Sequence, residues 1–300
     1  MTKWTPSNCP SLRDKVAIIT GANSGIGFET ALQLAQKDAS VILACRRSDA
    51  GEKAKTDILK KYPTARVIVM VLDLSRLAEV RKFAEDFRSR FKRLDLLINN
   101  AGIMMSPYEE TEDGFENQLA TNFIGHFALT GLLMSLILST SDSRIVTLSS
   151  LSYKWAPINF DDLHFKKGYD KKKAYGQSKR ACLVFAYELN RRLSASGKSA
   201  RSMAAHPGLS KTNLDRYFPA LIRPLGVLFL QSPKKGALPT LYAGLHQDLT
   251  GGEYIGPDGF QELRGYPKVV DSDSDTKDQK IAAKLWKVAE EMTGIHYSFE

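Results

Sequence analysis

The chain has only three cysteines, Cys9, Cys45 and Cys182, and they are far apart. With no C-x-x-C pair and no histidine at zinc-ligand spacing nearby, they imply neither a disulfide framework nor a metal site, and no metal is expected. Apolar runs of membrane-spanning length are missing from its start: Met1 to Pro10 is polar and broken by Pro6 and Pro10, with no signal-peptide core. The expected compartment is the reducing cytoplasm. Internal repeats and Pro/Ser/Gly-rich linkers are absent too, so a single domain over residues 1–300 is expected. Hydrophobic residues make up 43% and charged residues 25%, which excludes disordered, collagenous, coiled-coil and membrane-bundle compositions.

What the chain has in excess is positive charge, 42 Lys plus Arg against 33 Asp plus Glu for a net +9. The basic residues are mostly dispersed. Their densest stretch, Lys166, Lys167, Lys171, Lys172 and Lys173, holds a single aromatic, Tyr169, and matches no nucleic-acid motif. Nucleic acid is therefore not an expected partner, and an anionic small molecule or a solvated basic face accounts for the charge.

Short apolar runs alternate with longer amphipathic stretches. The runs are Val16 to Thr20, Ser40 to Cys45, Arg66 to Leu72, Leu94 to Asn99, Arg144 to Ser149 and Arg201 to His206, with a seventh at Glu253 to Gly256. Between them, residues 26–37, 49–62, 75–91, 121–138 and 174–196 are long enough for crossover helices. The pattern predicts an α/β fold, a doubly wound parallel sheet of about seven strands with helices on both faces. Residues 209–232 are apolar and interrupted by Pro219 and Pro224, and read as a substrate lid. Residues 257–300 form an extension in which Ile281, Leu285, Val288 and Met292 predict a terminal helix with a Thr276/Gln279 capping box.

After the first strand comes Gly21-Ala22-Asn23-Ser24-Gly25-Ile26-Gly27, where a helix should open. Such glycines permit a tight turn and close approach of a pyrophosphate, and the helix start offers free N–H groups to the anion. The T-G-x-x-x-G-x-G spacing resembles the short-chain dehydrogenase/reductase family. About 20 positions on, an acid would accept from the 2′-hydroxyl of NAD. Here Cys45 stands in its place, followed by Arg46 and Arg47, which suit the 2′-phosphate of NADP(H).

Further motifs extend the resemblance over roughly residues 15–260. Asp73-Leu74 is similar to the family's adenine-contacting acid segment, Asn99-Asn100-Ala101-Gly102 to its N-N-A-G sequence, and Pro207-Gly208 through Thr212 to its nicotinamide-side P-G-x-x-x-T segment. Each falls at a strand's carboxyl end, where ligands bind in open parallel sheets.

Carbonyl reduction needs a proton donor and a group that holds the oxygen as charge builds on it. Tyr175 and Lys179 lie four apart and share a helical face. An adjacent ammonium lowers a phenol's pKa from about 10. Tyr169 and Lys173 have the same spacing but sit in a charged, apparently solvated stretch before the helix. Ser149 and Ser150 close the fifth strand, and strand alternation does not choose between them; the resemblance points to Ser150. It also implies that Asn122 helps hold Lys179 through water. The long Ser150 to Tyr175 interval resembles the retinol dehydrogenase and protochlorophyllide reductase branch of the family. Met104, Leu209, Leu214 and Tyr217, with Ser150, suggest an apolar substrate site.

The expected activity is NADPH-dependent reduction of a hydrophobic ketone or aldehyde to an alcohol, in a reversible reaction. Reduction of a C=C bond and a non-catalytic NADP(H) sensor are the alternatives. The sequence leaves monomer and homo-oligomer open.

Overall fold

A computed structural model describes residues 3–210 and 230–300. Eight strands form one sheet: β1 Val16–Thr20, β2 Ser40–Cys45, β3 Arg66–Val71, β4 Leu96–Asn99, β5 Arg144–Leu148, β6 Arg201–Ala205, β7 Tyr254–Pro257 and β8 Pro267–Val270. Their order is β3-β2-β1-β4-β5-β6-β7-β8, and every pairing is parallel except β7 with β8. This is a Rossmann-type sheet. The chain reverses its direction of travel between β3 and β4, so the crevice of such a sheet opens above the carboxyl ends of β1 and β4.

Alternation along the strands divides the core into two layers. Ile18, Ile42, Leu97 and Ile145 pack on one face, whereas Ile19, Leu43, Ile98 and Val146 pack on the other. Both faces are buried, which is why β1 is buried throughout and apolar from Val16 to Ile19, reading as a continuous run. The second face is covered by α1 Gly25–Gln36 and α2 Ser48–Lys61. The first is covered by α3 Leu77–Arg90, by the broken helix Asn117 to Ser139, and by the long Lys171–Ala195 helix.

Four expectations need correction. β8 adds an eighth, antiparallel edge strand; with Pro267 at its start and Val269 exposed it lacks the apolar run of a central strand. The single helix expected over 121–138 is instead a turn at Asn117–Leu119, a π-helical turn Ala120–Ile124, and helices Gly125–Leu132 and Met134–Ser139. The helix expected from Ala174 starts at Lys171, because the Asp170 carboxylate accepts from the N–H groups of Lys172 and Lys173. The terminal helix, Gln279–Thr293, is capped by Asp278 and not by Thr276, whose hydroxyl donates to the Asp273 carbonyl. Its buried face also turns toward Ala282, Leu285, Trp286 and Ala289. The proposed lid at 209–232 falls mostly outside the described residues, as do Thr212, Leu214 and Tyr217.

Trp286 docks this last helix. It is 3% exposed and lies 5.2 Å from Phe127, 5.9 Å from Phe185 and 4.6 Å from Tyr297 between ring centroids, with the Arg192 guanidinium 4.2 Å above its ring. Trp286→Ala is expected to cost about 3–5 kcal/mol, read as a lower urea midpoint at unchanged slope; a loss under about 1 kcal/mol would mean that the helix is not docked in solution.

Candidate active site

The turn after β1 is shaped by contact with the segment after β4. Gly21 and Gly25 have φ of 65° and 58°, a region where side chains are strained. A Cβ on Gly27 would lie 2.5 Å from both the Gly21 carbonyl oxygen and Asn100 Nδ2. Asn100 Nδ2 donates to the Thr20 carbonyl at 2.6 Å, while the Asn100 and Ala101 N–H groups each donate to Thr20 Oγ1 at 2.9 Å. Beneath the turn lies the buried Cys45 thiol, which burial pushes up to about 11 against the opposing pull of the Ala22 and Asn23 N–H groups. Ser24 is the N-cap of α1, yet no side chain caps that helix, leaving its first N–H groups for an anion.

Past Cys45, Arg46 and Arg47 are exposed, and Arg47 forms a 3.4 Å ion pair with exposed Asp49. The Asp73 Oδ1 accepts from the Ser75 N–H and hydroxyl, and its other oxygen has no hydrogen-bond partner among the described residues. Leu74 is buried, and a Cβ on Gly125 would come within 2.2 Å of its carbonyl oxygen. Glycine cradle and uncapped helix start together fit the pyrophosphate of a dinucleotide.

The two serines ending β5 separate. Ser149 Oγ donates to the Lys179 carbonyl at 2.8 Å and so faces the long helix. Ser150 Oγ accepts from the Ser152 N–H, capping the 3-10 turn Leu151–Trp155, and lies close enough to the Tyr175 phenol to act on its ionisation. Tyr175 is 4% exposed; burial pushes its phenol up to about 12, with the Ser150 hydroxyl acting against the rise. The lowering expected from Lys179 is not found. Lys179 is 5% exposed, its own pKa is lowered by burial, and its Nζ donates to the Leu148 carbonyl at 3.0 Å. An ammonium has three donors, so two are left for a ligand among the described residues.

Asn122 lies in the π-helical turn. Its Oδ1 accepts from the Ile103 N–H, and its Nδ2 donates to the Ile103 carbonyl and to Ser178 Oγ. A Cβ on Gly102 would sit 3.0 Å from Asn122 Oδ1 and 3.4 Å from Lys179 Nζ, so Asn122 and Lys179 flank Gly102 without bonding each other. The Asn122 carbonyl accepts from His126 Nδ1 and Cys182 Sγ.

Several participants have no sequence signature. His126 is 1% exposed, and its other nitrogen lies 2.8 Å from Thr20 Oγ1. A carbonyl only accepts, so Nδ1 carries the proton and Nε2 accepts from Thr20. Trp155 stands 6.0 Å from Tyr175 between ring centroids. Glu262, 3.0 Å from His206, and Leu263, whose carbonyl accepts from the Leu209 N–H at 2.7 Å, bring the C-terminal extension back onto Pro207-Gly208. Only the Asn122/His126 i,i+4 spacing could have hinted at any of these.

Tyr169 is not solvated as expected. Its hydroxyl meets Gln118 Nε2 at 2.7 Å, the Ser106 carbonyl at 3.0 Å and the buried Glu116 carboxylate at 3.1 Å. It thereby supports the loop that carries Met104, which is half-buried, while Leu209 is 42% exposed. The described residues contain no cluster of three metal-ligating side chains and no helix long and apolar enough to cross a membrane.

Burial holds His126 near pKa 4, against an ordinary 6.5. An unfolded chain takes up that proton first, so stability is complete above about 6.5 and falls as the pH drops toward 4. His126→Gln removes the titration and keeps a donor for the Asn122 carbonyl. Between pH 7 and 5 the parent should lose about 2 kcal/mol more than the variant in urea titrations, and equal losses would refute the neutral histidine.

Comparison with known proteins agrees with this geometry. The short chain dehydrogenase family model matches residues 15–220. The chain is 39% identical over 302 residues to retinol dehydrogenase 14 of Mus musculus, covering 95% of this chain and 87% of that protein. It is 37% identical over 305 residues to retinol dehydrogenase 13 of Homo sapiens, covering 97% and 89%. Among solved structures, an uncharacterised protein from Mycobacterium paratuberculosis has a TM-score of 0.84 at 40% identity, covering 99% of this chain and 100% of that one. A Shigella flexneri short chain dehydrogenase complexed with NADP shares the fold at a TM-score of 0.65 and 22% identity, covering 81% and 96%. On its sheet order, its glycine turn and these matches, the chain belongs to the short-chain dehydrogenase family of oxidoreductases, within the retinol dehydrogenase-like branch.

Proposed function

We propose that the protein is an NADP(H)-dependent carbonyl reductase acting on a hydrophobic aldehyde or ketone. The observation that carries this reading is the grouping of the Tyr175 phenol beside the Ser150 hydroxyl, with the buried Lys179 ammonium one helical turn on and against Gly102. When bound, the cofactor supplies a hydride from its nicotinamide ring to the carbonyl carbon. Tyr175 then gives its phenolic proton to the carbonyl oxygen. Burial holds that phenol at about 12, so at neutral pH it carries the proton that the reduction needs. The Ser150 hydroxyl steadies the negative charge as it develops, and the site's burial strengthens that contact. Lys179 holds the ribose on the nicotinamide side with its remaining donors, and Asn122 braces the Gly102–Ile103 backbone against the long helix. At the far end, Arg46 and Arg47 meet the 2′-phosphate, the Gly21–Gly27 turn cradles the pyrophosphate, Asp73 contacts adenine, and Pro207-Gly208 borders the nicotinamide. Met104 and Leu209 border the apolar substrate.

NADPH oxidation over a panel of aldehydes and ketones tests the reading. Tyr175→Phe should keep NADPH affinity within about twofold and reduce turnover by at least about 10²-fold, the scale of a lost general acid; an active variant would refute the assignment. Arg46→Ala should weaken NADPH by about tenfold with little effect on NADH, since a charge-assisted bond to the phosphate is lost. Equal weakening of both cofactors would remove the phosphate role.

A further inference from the structure

The basic stretch before the active-site helix has a definite position in the fold. Lys172, Tyr175 and Lys179 occupy i, i+3 and i+7 of the Lys171–Ala195 helix and therefore share one stripe. Lys179 is its buried end, and Lys172 its exposed end, one turn beyond the phenol. Trp155 spans the interval. Its ring centroid is 6.0 Å from that of Tyr175, and the Lys172 ammonium lies 5.0 Å from the same indole.

The fold fixes this tryptophan in place. Ser150 caps the turn that carries it, and Gly176 lets that turn close on the helix, since a Cβ there would lie 2.8 Å from Trp155 Cβ. Even so, Trp155 is 38% exposed, a large apolar surface left open beside a buried phenol. The charge beside it is equally unanswered. Among the described residues Lys172 has no carboxylate within ion-pair distance, and neighbouring Asp170 is bonded to the N–H groups of Lys172 and Lys173.

We propose that Trp155 and Lys172 select a carbonyl compound with an apolar body and a carboxylate at its far end, the body lying along the indole and the carboxylate meeting Lys172. The inference rests on the reductase reading and names its substrate class. The distances of 6.0 and 5.0 Å to the indole place both the phenol ring and the ammonium within reach of one small extended molecule lying along Trp155.

The test compares ω-oxo-octanoate with its methyl ester in NADPH oxidation, and octanoate with methyl octanoate in calorimetric titration of the NADPH-loaded protein. The acid should be preferred by roughly fivefold, the size of one exposed charge contact, chiefly through KM, and the preference should shrink as salt is raised. Lys172→Gln should bring the acid-to-ester ratio to about one, and Lys172→Glu should invert it. A ratio of one in the parent, or an unchanged ratio in Lys172→Gln, overturns the proposal in either assay. Failure of every carbonyl to oxidise NADPH would overturn the reductase reading, while the calorimetric ratio would still decide the role of Lys172.

Discussion

The hydroxyl of Thr20, at the end of the first strand, is bonded on both sides of the site. It accepts the N–H groups of Asn100 and Ala101, and it donates to His126, which in turn donates to the Asn122 carbonyl in the π-helical turn. The Ile98 carbonyl competes for the same proton from farther off, at 3.3 Å. Every group in this chain is at least half-buried, where each bond is strong and each unmade bond costly. The turn fitted to a dinucleotide and the segment that braces the Tyr175 helix are therefore set relative to one another by the same five residues. Neither can shift without leaving a buried donor or acceptor unmatched.

Burial also decides the chemistry of the two groups nearest the reaction. Tyr175 is harder to ionise than a free phenol, and Lys179 easier to discharge than a free amine, because both ions would sit away from water. Sequence spacing placed them on one helical face but carried no information about the carbonyl of Leu148, to which the ammonium turns. The phenol's character thus follows from depth in the fold more than from its lysine neighbour.

Strands β1 to β6 were legible because parallel strands in a sheet covered on both faces are largely apolar, as is even the edge strand β3 between its exposed ends, and their boundaries fall within two residues of the runs. The glycine turn was legible because its φ values and close contacts admit no other residue cheaply. What escaped depends on long-range contact. β8 is short and half-exposed, Glu262 and Leu263 return to Pro207-Gly208 from more than fifty residues away, and Tyr169 joins a carboxylate from another helix start. Such pairings leave no period in the sequence. Asp278 outcompeted Thr276 as a cap for a local reason, since the threonine hydroxyl already had a carbonyl partner.

One arrangement near the P-G segment bears on how the protein can diversify. Ser210 and Gln231 form a parallel bridge, the Gln231 N–H donates to the Leu209 carbonyl, and its Nε2 donates to the Pro207 carbonyl at 2.7 Å. The chain that departs after Ser210 thus re-enters where it left. These bonds lie wholly on described residues, so the Pro207-Gly208 segment is held in register by Gln231 as well as by its own strand, and it keeps that anchorage whatever sequence joins Ser210 to Leu230.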